Sequence, residues 1–187
     1  KQLHPDSILW RSSYTPLNER GDILREQAQY WGQPGMHYHP FLRAGENTLN
    51  LQLVRVLDES LTAKGGYDLD DYLQRYIDFM LTPGKHRDTY VEEYHRHFFT
   101  HLARGWKPQR CGGADVHIGG LAGVGLLCAR LGKEAPAAVL EHVGFSHGDA
   151  DMLDAAKRLT RMLLALMLGE PLRETILHHA GRWFSEQ

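Results

Sequence analysis

The chain is poor in cysteine, in long apolar runs and in net charge of either sign, and each shortage excludes a class of protein. Of 187 residues, two are cysteines, Cys111 and Cys128. Two thiols do not make a disulfide framework, which points to a reducing compartment, the cytoplasm. No apolar run reaches the roughly 18 residues that a membrane-spanning helix needs. Formal net charge is -2, so neither a nucleic acid nor a membrane surface is expected as a partner. There is no positively charged start leading into an apolar block, the pattern of a secretory leader. Internal repeats and runs of alternating polarity are missing as well. No Ser or Cys sits in a strand-turn-helix nucleophile elbow. DLDD at 68–71 lacks the spacing, the Gly and the Glu of a calcium loop, and reads as helix capping. The sequence opens on Lys1 rather than Met, as expected of a processed chain or a piece of a longer one.

What is present is globular. Apolar residues make up 42 % and charged residues 24 %, enough for one domain with a real core. The spacing predicts an all-α fold, a single multi-helix domain over 1–187. An irregular wrapping segment covers 1–47, rich in Trp10, Trp31 and tyrosines, and a helical core covers 48–187. Within the first segment a helix is expected from about Asp22 to Trp31. In the core, helices are expected from Thr48 to Ala63, from Asp68 to about Met80, from Asp88 to Ala103 and over 118–131. Further helices follow from Pro136 to Val143, from SHGD at 146–149 to Leu168, and from Pro171 to Phe184. Ser146 and Asp149 are spaced as a capping box for the sixth of these core helices.

Several side chains suggest chemistry. Asn50 shares a face with Val54, Leu57 and Leu61, which puts an amide where a core helix calls for an apolar group. Thr48 and Asn50, at a helix N-terminus, suit oxygen donation to a cation or contact with a ligand; equally, Thr48 caps the helix and Asn50 bonds nearby backbone. Asp115 and His117, two residues apart in a glycine-rich loop, would line a cleft or cap the next helix. His147, Asp149 and Asp151 crowd a helix start, where carboxylates are expected from the dipole alone. Glu93, His97 and His101 have zinc-binding spacing, yet HExxH is absent because Arg96 and Phe98 flank the first histidine, which favours a solvated histidine face. GGLAGVGLL does not fit a phosphate loop, and its glycines are expected to let helices approach closely. Cys128, inside LLCA, reads as a buried thiol; Cys111, before two glycines, is a weak candidate for reactivity.

Three stretches, in order, resemble the ADP-ribosylglycohydrolase superfamily. GENTLNLQL is similar to its G-x-x-T-D-D-x-Q-L, CGGADVHIGGLAGVGLLCA to its Gly-rich turn and small-residue helix, and FSHGDADMLDAAKRLTRMLLALMLG to a later helix of the family. HPDSILWRSSY and HYHPFLRAGENT resemble the crystallin J1-like subgroup. The resemblance implies an all-α fold and hydrolysis of the glycosidic link between ADP-ribose and a protein side chain. It also implies two Mg²⁺ ions that hold ribose hydroxyls and activate water. Family ligands come from the T-D-D triplet, an earlier G-D and a late G-G-D-x-D. Here Thr48 matches the Thr, Leu49 replaces one Asp and Asn50 the other, so the resemblance leaves Thr48 and Asn50 as weakened Mg²⁺ and ligand-binding positions. The G-D and G-G-D-x-D elements are not in the chain, which suggests a fragment of a complete member. The resemblance, together with their chemistry, makes Glu46, Asp115, His147 and Asp149 the acid/base candidates. The alternative is a catalytically inactive protein on the same scaffold, structural or binding ADP-ribose or another nucleotide.

Overall fold

Leu49, Leu53, Val56, Leu57 and Leu61 recur on one face of the helix Leu49–Lys64 (α1), and each is 7 % exposed or less. Burying that face drives the helix, at about 1.5–3 kcal/mol for each leucine or valine removed from water. Gly65, with φ of 70°, ends it in a left-handed turn that a β-carbon would strain. Asp68 then caps α2 (Leu69–Leu81) by accepting from the Asp71 N–H, and Tyr72, Leu73, Tyr76 and Met80 turn inward. The computed structural model describes residues 13–184, with side chains to His179. Residues 1–12, Trp10 among them, and 185–187 lie outside the described residues.

The remaining helices are α3 (Glu93–Ala103), α4 (Val124–Leu131), α5 (Ala135–Gly144), α6 (Ala150–Met167) and α7 (Leu172–Phe184). The fold is all-α: among the described residues no strand occurs, and the extended pairings are two isolated bridges, Gly113 and Ala114 each with His147. Helix α1 packs on α2 and α4; α4, α5 and α6 pack on one another; α7 lies on α6. No helix of the described residues is long and apolar enough to cross a membrane.

Before α1 the chain runs over α3. Trp31 donates from its indole to the Thr89 carbonyl at 2.5 Å and stacks on Tyr90 at 5.7 Å, with the Arg96 guanidinium 5.1 Å over its ring. The helix expected over Asp22–Trp31 is a 3₁₀ helix, Arg25–Tyr30. None of its residues is fully buried, so little packing supports a longer α-helix there.

Two other boundaries move, each because side chains are drawn elsewhere. Helix α3 starts at Glu93, not Asp88. The intervening residues stay out of the helix because the Asp88 and Thr89 side chains are buried against α1 and the 37–39 segment. The expected 118–131 helix splits into a 3₁₀ turn, Ile118–Leu121, and α4 from Val124. Gly119, Gly120 and Gly123 weaken helix formation, and His117 caps the turn by accepting from the Gly119 N–H at 3.0 Å. The capping box also differs. Asp149 is itself the N-cap of α6, accepting from Asp151 N and Met152 N, while the Ser146 hydroxyl lies 2.8 Å from His147 Nδ1.

Candidate functional site

The N-terminus of α1 is capped from a distance. Thr48 occupies the N-cap position without a side-chain cap bond. Instead the Leu49 N–H donates to Asp88 Oδ2 at 2.5 Å, and Asp88 Oδ1 lies 2.5 Å from His39 Nδ1. A fully buried carboxylate here is favoured by the free N–H groups and the positive end of the helix. The Leu49 side chain, 2 % exposed, is part of the core.

Asn50 comes next, and its amide has a definite task. The Tyr94 hydroxyl donates to Asn50 Oδ1 at 3.1 Å, and Asn50 Nδ2 donates to Glu92 Oε1 at 2.9 Å. Burial holds the Tyr94 phenol well above its usual range, so it stays a donor. That donor sets the amide orientation, and the amide passes a hydrogen bond on to the carboxylate. Leucine at this place would do neither. The other Glu92 oxygen, Oε2, lies 3.6 Å from His95 Nε2, and His95 Nδ1 is 2.6 Å from the Tyr76 hydroxyl.

These groups border two spaces that share Asn50. One is a cleft of 340 Å³ lined by Tyr38, His39, Thr48, Leu49, Asn50, Tyr90, Glu92 and His117, of a size that takes a small ligand. The other, behind Asn50, is a chamber of 30 Å³ among Tyr76, Tyr94, His95, Gly119 and Gly120, with room for water only. Glycines shape its wall. A β-carbon on Gly120 would come within 2.7 Å of three His147 ring atoms, and one on Gly123 within 2.8 Å of His142 Nε2. The small-residue stretch therefore seats imidazole rings rather than only a neighbouring helix. Burial pushes His142 and His147 down to about 4, so both rings are neutral in the fold.

Of the residues expected from sequence, Thr48 and Asn50 line the cleft. The four acid/base candidates do not share it. Glu46 is ion-paired with Arg87 in a separate, open cleft of 660 Å³. Asp115 pairs with His97 at 3.2 Å; Asp149 is committed to capping α6; His147 is sealed beneath Gly120. Glu92 is the carboxylate that sequence reasoning missed. Its one signal was its place in YVEEYH, two residues before Tyr94, and the expected start of α3 at Asp88 concealed it. His117 lines the cleft as well as capping its turn.

The zinc reading does not survive. His97 sits between Glu93 and Asp115, whereas His101 donates from Nδ1 to the Cys111 carbonyl, 2.8 Å away, and stacks on Trp106. Among the described residues, no group of three or more His, Cys, Asp or Glu side chains is arranged to hold a metal. Cys111 is fully buried and its thiol is pushed up to about 11 by that burial, so it is not the reactive group entertained from sequence.

The fit to two Mg²⁺ ions fails on donor chemistry. Thr48, Asn50 and Glu92 offer one carboxylate between them, the Asn50 amide is engaged at both ends, and Leu49 faces the core. Hard divalent cations call for more charged oxygen than this. No curated protein and no solved structure matches the chain. The ADP-ribosylglycohydrolase family model matches residues 11–187, nearly the full length, and with the all-α fold and the site at the start of GENTLNLQL the chain belongs to that family.

Proposed function

We propose that this chain hydrolyses the glycosidic bond of ADP-ribose or a related nucleotide-sugar adduct, with the cleft before α1 as its active site. The observation that carries the reading is Glu92: a carboxylate 12 % exposed, bordering a ligand-sized cleft, one oxygen held by Asn50. A carboxylate so held is a general base. It takes a proton from water as the water oxygen attacks the anomeric carbon. The bond from that carbon to the protein-side nitrogen or oxygen breaks, and the proton passes to the departing atom. Thr48 and His117 border the cleft and offer hydrogen bonds to sugar hydroxyls, while Tyr38 and Tyr90 supply aromatic walls. Each step belongs to the chain's own side chains, and none is routed through a metal.

The test is release of ADP-ribose from peptides ADP-ribosylated on arginine or on serine, followed by mass spectrometry, beside calorimetric titration of ADP-ribose. Turnover should occur, survive a chelator, and fall about a hundredfold or more in Glu92→Gln while ADP-ribose binding persists. Turnover that chelation abolishes overturns the metal-free route. Binding without turnover supports an inactive ADP-ribose-binding protein on this scaffold. Neither binding nor turnover sinks both readings.

A further inference from the structure

His95 takes no part in the steps above, yet it is 1 % exposed and stands directly between Glu92 and Tyr76. Its Nδ1 has the Tyr76 hydroxyl at 2.6 Å; its Nε2 is buried, has no hydrogen-bond partner, and lies 3.6 Å from Glu92 Oε2. A neutral imidazole carries one N–H and one lone pair, and neighbours decide which nitrogen has the hydrogen. A carboxylate has no hydrogen to give. Nor does Tyr76 lose its own: burial holds the phenol well above its usual range, and burial likewise keeps His95 neutral. The arrangement that satisfies all three groups has Tyr76 O–H donating to Nδ1 and the ring hydrogen on Nε2, facing Glu92. In the other tautomer a bare lone pair faces the carboxylate, and Tyr76 loses its acceptor. The same order of groups, tyrosine hydroxyl to acceptor–donor to carboxylate, serves the opposite oxygen through Tyr94 and Asn50.

We propose that His95 is a positioning residue of this site: Tyr76 locks it as the Nε2–H tautomer, and it is the second donor to Glu92, closing the 3.6 Å gap when the carboxylate takes up its working position. Glu92 is then held on both oxygens, one from α1 and one from α3, and faces the cleft in one orientation. This inference rests on Glu92 as the base of the proposed hydrolysis.

The experiment has one arm that needs no turnover. The full chain, ¹⁵N-labelled at histidine, is read by long-range ¹H–¹⁵N correlation near neutral pH, with His95→Gln assigning the His95 signals. The wild type should show the Nε2–H form, and Tyr76→Phe, which keeps the ring and its packing, should move His95 to the Nδ1–H form or a mixture. In the kinetic arm His95→Phe should lower kcat about tenfold or more with KM little changed. His95→Gln, whose amide can accept from Tyr76 and donate to Glu92 as Asn50 does, should recover most of that loss. An Nδ1–H wild type overturns the proposal, as does a tautomer indifferent to Tyr76→Phe. So does a Gln variant that folds but is as slow as Phe. Should His95→Phe fail to fold, Tyr76→Phe and His95→Gln still decide it. A wild type with no turnover counts against the hydrolase reading, and the tautomer then decides this one by itself.

Discussion

Asn50 Nδ2 and Glu92 Oε1 are 2.9 Å apart, joining the first turn of α1 to the residue just before α3, with Tyr94 holding the far end of the same amide at 3.1 Å. The polar residue on an otherwise apolar helix face is thus the link between two helices, and the edge of the cleft lies where they meet.

Replacing that link should be costly in a way that depends on the replacement. Asn50→Leu leaves the Tyr94 hydroxyl and Glu92 Oε1 without partners and should cost about 1–3 kcal/mol in urea unfolding. Asn50→Asp sets a second carboxylate against Glu92. An acid whose folded pKa is raised binds its proton more tightly in the fold, so stability is lost as pH rises through the carboxylate range. The Asp variant should therefore match the wild type near pH 4 and fall behind it by about 1–2 kcal/mol at pH 7.

Asp88 should be the most sensitive carboxylate for folding. It is fully buried, accepts from the first N–H of α1 and lies beside His39. Asp88→Asn keeps the shape but removes the charge and turns an N–H₂ toward groups that need an acceptor. Urea unfolding should show a loss of about 2–3 kcal/mol, and hydrogen exchange should rise first in the opening turn of α1.

Acid should weaken the fold earlier than carboxylate titration alone would. His142 and His147 sit at about 4 in the fold against an ordinary 6.5. The unfolded chain takes up these protons first, so stability falls as pH drops from 6.5 and the loss is complete below about 4. Each ring accounts for on the order of 2–3 kcal/mol. Denaturant midpoints across that window should fall less steeply in His147→Asn, the slope changing by about one proton.

Two glycines of the same stretch should behave oppositely. Gly120→Ala drives a β-carbon into the His147 ring, 2.6 Å from Nδ1, and should cost about 1–3 kcal/mol through overpacking. Gly125, one turn later in α4, has open space around its would-be β-carbon. Gly125→Ala should stabilise by up to about 1 kcal/mol through helix propensity. Thermal unfolding of the pair separates the two effects.

Much of the helix content was legible in the chain. Leucines at 53, 57 and 61, tyrosines at 72 and 76, and the turn at Gly65 mark α1 and α2 because apolar periodicity and left-handed turns are local properties. The starts of α3 and α4 were not, because Asp88, Thr89 and the 119–123 glycines answer to partners far away in sequence. The same distance hid the site. Glu92 became a candidate only when Asn50 and Tyr94 were seen around it, while Glu46, Asp115 and Asp149 lie away from that cleft beside Arg87, beside His97 and at the α6 N-terminus.

By itself, the sequence determined an all-helical chain with an apolar core, the family that its ordered motifs resemble, and a triplet of Thr48, Leu49 and Asn50 that carries no carboxylate. Those properties follow from residue identity and short-range spacing. Tertiary structure alone decided which carboxylate borders the cleft and which donors hold it. Hydrogen bonds act over about 3 Å, and the groups that share this one come from positions 42 and 44 residues apart, a separation that only folding brings within reach.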